Sequence, residues 1–133
     1  MTEAYPIAGV ASPDPSYGPE RVVELQLSAL ATNDEPFENA GIAAAYNFAS
    51  PANRRSTGPF DRFVRMVTGP QYAPMVDHVR ATMGPMERSG TRAEGRVTIT
   101  GPDDRTETYA FGLSKDREGD LDGHWLTDSV VRK

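Results

Sequence analysis

The sharpest chemistry in this 133-residue chain is a histidine beside an aspartate, Asp77 and His78. Imidazole titrates near neutrality and is the commonest proton shuttle, so His78 is the one candidate general base, oriented by Asp77 or by Asp128. Neighbours on a strand point to opposite faces, which weakens an Asp77 to His78 pairing and leaves a structural or surface histidine as the competing reading. Ser50, Ser56, Thr57 and Ser129 lack a Gly-x-Ser-x-Gly elbow, so covalent catalysis has no support, and Ser50 ahead of Pro51 reads as a helix cap.

Metal chemistry has one imitation. Glu118, Asp120, Asp122 and Gly123 follow the first half of a calcium loop, which needs oxygen ligands at positions one, three and five and glycine at six. Position twelve is Ser129 where a bidentate glutamate is required, so the segment reads as an acidic hairpin. His78 and His124 show no ligand spacing, and neither a metal nor a cofactor is expected.

A small apolar ligand would need a pocket with a few orienting polar groups, and the aromatic residues are the candidates for lining it. Tyr46, Phe60, Tyr109 and Trp125 are taken as the ligand-binding set, with core filling as the competing reading for all aromatics. Met66 and Met75 suit adaptable packing at a pocket mouth or a dimer contact, and Arg62 and Arg65 a solvated helix face.

Composition narrows the classes. Nineteen acids against fourteen bases give a formal charge of -5, and only Arg54 and Arg55 adjoin, so a nucleic-acid surface is not expected. Without cysteine there are no disulfides, thiolate sites or cysteine nucleophiles. No run approaches the ~18 apolar residues of a membrane span, and the N-terminus has no basic start, so the expectation is a soluble cytoplasmic protein off the membrane.

The elements that must position these residues follow from periodicity. Residues 1–17, with Pro6, Pro13 and Pro15, read as a flexible N-terminal arm, and 18–133 as a single domain. A first helix starts at Pro19, buries Val23, Leu27 and Leu30 on one face and ends at Asn33 and Asp34. A second runs from about Glu38 to Phe48, and its alanine run lets another backbone come close. The stretch Phe48 to Val67, FASPANRRSTGPFDRFVRMV, carries two helix starts and places Phe60, Phe63, Val64 and Val67 on one face of a third helical region. Past Pro74 the period changes to two. Val79, Ala81 and Met83, then Val97 and Ile99, then Tyr109, Phe111 and Leu113 alternate with polar residues, and a hairpin loop over Asp116 to Gly123 leads to a last strand beginning near Trp125. Pro85 confines the first strand to an edge or bend, and Gly95 and Gly112 suggest bulges. Three helices laid on one apolar face of about four antiparallel strands make an α+β half-barrel.

This helix-then-sheet order, ending in the Asp122, Gly123, Trp125 hairpin, resembles the nuclear transport factor 2-like, cystatin-related fold. More narrowly, FASPANRRSTGPFDRFVRMV with QYAPMVDH, Gln71 to His78, is similar to an uncharacterised domain-of-unknown-function family, DUF4864-like, over most of the chain from about Gly18. The resemblance implies three helices on a strongly curved sheet with a pocket between the layers, and dimers that pair through the opposite sheet face. It transfers no catalytic residue. Three readings follow: a non-catalytic small-molecule-binding or dimerisation module, in front; a cofactor-independent isomerase or lyase with His78 as base and Tyr46 or Tyr109 as donor; and a structural partner-binding protein that uses its sheet, as a homodimer or otherwise.

Overall fold

Close packing of two helices sets the first layer. In the computed structural model, which describes residues 7–116 and 122–133, α1 spans Pro19–Ala31 and α2 spans Ala40–Phe48. Where they meet, Gly41 lies so near α1 that a Cβ there would stand 2.4 Å from the Ala29 carbonyl oxygen and 2.9 Å from Asn33 Oδ1. Only a residue without a side chain fits. Asn33 then ties the turn together, its Oδ1 accepting the Ile42 N–H at 2.9 Å and its main-chain oxygen accepting the Gly41 N–H at 2.8 Å. The left-handed Asn39 at the start of α2 donates its N–H to Asp34 Oδ1, so the helix begins at Ala40, two residues later than the apolar spacing predicts.

The third helical region is two helices, a correction to the expected three in all. Ser50 caps α3, Pro51–Thr57, by accepting the Asn53 N–H at 3.2 Å. Gly58 follows with φ +85°, and Pro59 disfavours a helical residue before it, so α4, Phe60–Val67, starts afresh. A 3-10 turn, Ala73–Met75, leads to the sheet.

The strands β1 (Arg80–Ser89), β2 (Arg92–Thr100), β3 (Thr106–Lys115) and β4 (Trp125–Arg132) pair in sequence order, all antiparallel, as an open sheet with β1 and β4 at its edges. Gly84 and Pro85 sit where the register of β1 shifts between Met83 and Met86, with Met86 opposite Gly95, and a second shift falls between Gly112 and Leu113 against β4. Proline is tolerated there because β1 is an edge. One face buries Val97, Ile99, Tyr109, Phe111 and Leu113 against Val22, Val23, Leu27, Ile42 and Phe48 of the helices. The other carries paired threonines, Thr98 with Thr108 and Thr100 with Thr106, between exposed Arg92, Glu94 and Arg96. No helix among the described residues is long and apolar enough to cross a membrane.

From Ile7 onward the N-terminal arm is tied to α2. Asn47, fully buried, accepts the Ile7 N–H at 2.7 Å and donates to the carbonyls of Ile7 and Ala11 at 3.0 Å.

Gly41→Ala should lower stability by about 1–3 kcal/mol, because α1 and α2 must move apart to admit a methyl group. Urea unfolding reads this as a lower midpoint at unchanged slope; an unchanged midpoint would show that the helices are not in such contact.

Candidate functional site

A cavity of about 340 Å³ lies between the helical layer and β4. Its apolar wall comes from Leu30 of α1, Ala45 of α2, Phe63 and Val67 of α4, and Phe111 of β3, with Met66 and Met75 completing it. Its polar wall is Gln26, Asn53 and Thr127. Gln26 and Thr127 are almost wholly buried, 3% and 2% exposed, so their polar atoms must find partners inside.

They find each other. Gln26 Nε2 donates to Thr127 Oγ1 at 2.8 Å and, more weakly, to the Val22 carbonyl at 3.3 Å. A carbonyl only accepts, so the contact with Val22 fixes which end of the amide faces it. The Thr127 carbonyl accepts the Ser50 N–H at 2.8 Å and Asn53 Nδ2 at 3.1 Å, which docks the start of α3 on β4. Tyr72, also on the lining, donates its hydroxyl to the Val130 carbonyl at 2.7 Å and stacks on Tyr109, ring centroids 6.0 Å apart. Burial pushes the Tyr72 phenol above its ordinary value of 10.0. Burial does the same to Tyr109, with the Glu107 carboxylate adding to the rise, against lowering by Arg105 and Arg132.

The residues picked from sequence lie elsewhere. None of Tyr46, Phe60, Tyr109 and Trp125 lines the cavity. Tyr46 and Phe60 come together edge to face at 5.5 Å, and Tyr46 meets Phe63 at 5.2 Å, so this pair stands behind the cavity wall. Tyr109 is fully buried and gives its hydroxyl to the Gln71 carbonyl at 2.7 Å. Trp125 pairs with Lys115 at the far end of the same strands, under the Arg88 guanidinium 4.9 Å from its ring centroid. Met66 and Met75, expected at a pocket mouth or a dimer contact, both line the cavity.

His78 borders a different, shallower depression with Glu24 and Ser28. Its Nδ1 lies 2.8 Å from the Met75 carbonyl, so Nδ1 holds the proton there. Asp77 does not orient it: one carboxylate oxygen accepts the Asn33 N–H at 3.0 Å and the Asp77 N–H caps the Leu30 carbonyl. Asp128 lines the cavity, and His78 does not. In the acidic hairpin, Glu118 and Asp120 lie outside the described residues, and Asp122 offers its carbonyl to His124 Nδ1 at 3.2 Å.

Gln26, Asn53 and Thr127 were missed for a definite reason. A lone Gln, Asn or Thr carries no motif, and the contact that unites Gln26 with Thr127 spans 101 positions. One signal was present: Gln26 falls on the apolar stripe of α1, four residues from both Val22 and Leu30.

A family model described as Domain of unknown function (DUF4864) matches residues 18–131. No curated protein and no solved structure matches the chain.

Thr127→Val strands the buried Gln26 amide and should cost about 1–3 kcal/mol, while Gln26→Leu with Thr127→Val together should recover most of the loss. Chemical denaturation of the two variants checks this; a double variant no more stable than Thr127→Val would mean the pair is not coupled. The two shifted phenols make a second test. Their folded values exceed their unfolded ones, so the stability they contribute is complete below pH 10 and drains away as pH rises through the folded values. An ultraviolet alkaline titration should therefore lose one late-ionising phenol in Tyr72→Phe and another in Tyr109→Phe; removal of an ordinary phenol in either variant contradicts the burial.

Proposed function

The chain belongs to the DUF4864 family, a membership that prescribes no chemistry, and we propose from the cavity that it is a non-catalytic small-molecule-binding module of nuclear transport factor 2-like class. The observation that carries this reading is a hollow of about 340 Å³ with a mainly apolar lining and a few fixed polar groups, the usual make-up of a ligand pocket. Helices followed by an antiparallel meander, with the hollow between the two layers, support the fold assignment. A cytoplasmic location is part of the same proposal.

The chemistry of the lining favours holding over turnover. The buried polar groups, Gln26 and Thr127, are a neutral amide and a hydroxyl, which orient a ligand and move no protons at neutral pH, and the half-buried Asp128 carboxylate has no histidine beside it on the lining. An isomerase or lyase built on His78 would have its base outside this cavity, against the Met75 carbonyl. A homodimer through the sheet would have to use a face of threonine, arginine and glutamate, with Val131 at its edge the exposed large apolar side chain.

Titration with the neutral fluorophore N-phenyl-1-naphthylamine is the direct test. Saturable one-to-one enhancement is expected from the full chain, lost in Ala45→Phe, which fills the cavity from α2 while the fold persists by circular dichroism. Enhancement that never saturates, or that survives the filling, would refute the cavity as the site.

A further inference from the structure

We propose that the cavity selects ligands whose head donates a hydrogen bond, an alcohol or a primary amide on an apolar body, and turns away carboxylates and other anions; this rests on the binding-module reading above. The argument starts from which polar atoms remain unused. Gln26 commits its amide nitrogen to Thr127 and Val22, and its Oε1 accepts no hydrogen bond from the described residues. With Gln26 3% exposed, that oxygen borders the cavity and little else. Asn53 repeats the arrangement: Nδ2 goes to the Thr127 carbonyl, leaving Oδ1 as a second acceptor on the same wall.

Donors are scarcer. Tyr72 has spent its hydroxyl on Val130, and Thr57 its own on the Asn53 carbonyl. Thr127 Oγ1 accepts from Gln26 and keeps its proton to give. The Ser56 and Ser129 hydroxyls on the lining are exposed to water at its rim, so inside the rim two amide oxygens beside one hydroxyl match a head that donates and also accepts once. An anionic head would meet the two carbonyl oxygens and the Asp128 carboxylate, and no arginine or lysine lines the cavity to offset them. Burying a charge without a partner is strongly unfavourable. A cavity of roughly 150 Å³ holds a benzene ring, so this one, more than twice as large and open at one side, takes a body of two or more rings.

The test is a competition series on one ring system against bound N-phenyl-1-naphthylamine, using the full chain. We expect 2-naphthol to displace the fluorophore at a concentration about tenfold lower than 2-methoxynaphthalene, which cannot donate, the ratio one hydrogen bond commands. The 2-naphthoate anion should be the weakest of the three. In Gln26→Met the alcohol should lose its advantage over the ether while both still compete; Asn53→Ala, at a half-buried position, serves if that variant does not fold. Equal competition by alcohol and ether, or preference for the carboxylate, overturns the selectivity and leaves the binding module standing. If the fluorophore itself finds no saturable site, the binding module falls and the selectivity with it.

Discussion

Thr127 is where the helices are fastened to the sheet. It lies on β4, an edge strand, whose outer side presents unpaired backbone groups that need covering. The junction between α2 and α3 supplies the cover. Ala49 forms a one-residue parallel bridge to Thr127, the Ser50 N–H and the Asn53 amide share its carbonyl, and Gln26 from α1 reaches its hydroxyl. One residue of the sheet is thus held by three parts of the helical layer. An apolar residue at this position would leave the Gln26 amide poorly satisfied in the interior, where such a group costs about 1–3 kcal/mol.

That fastening also explains why a hollow exists. With the start of α3 pinned to β4, the chain restarts as α4 after the Gly58 to Pro59 break, and the space between α4 and β4 is lined by short Ala45 and Ala49, flexible Met66 and Met75, and the flat rings of Phe63 and Phe111. The space of about 340 Å³ opens to solvent beside exposed Ser56, Ser129 and Val131, so water fills it until a ligand takes its place. The polar wall makes such an occupant welcome at one end only, which gives a bound molecule an orientation.

Much of the fold was legible because it is written in local repetition. The stripe of Val23, Leu27 and Leu30, the alternation through Tyr109, Phe111 and Leu113, and the change of period after Pro74 each need only a few neighbouring residues to be seen, and all describe the structure. Gly58 and Pro59 announced a second start, yet counting the region as one helix hid the break between α3 and α4. The candidate site was less legible. Tyr46, Phe60, Tyr109 and Trp125 lie off this cavity, whose rings are Phe63, Tyr72 and Phe111, because which aromatic of a stripe meets a hollow depends on packing between distant elements that no local spacing records. Polar residues on buried stripes, Gln26 on α1 and Thr127 in register with Trp125, were the better guide.

The central claim is that a small molecule enters the space between α4 and β4 and nowhere else. Methionine methyl NMR reads it directly, since Met66 and Met75 line that space and Met83 and Met86 lie on β1, away from it. With an isotope-labelled methyl on each methionine, bound 2-naphthol should show intermolecular Overhauser contacts to Met66 and Met75 and leave Met83 and Met86 unshifted. Contacts to Met83 or Met86, or none to either cavity methyl, would contradict the account.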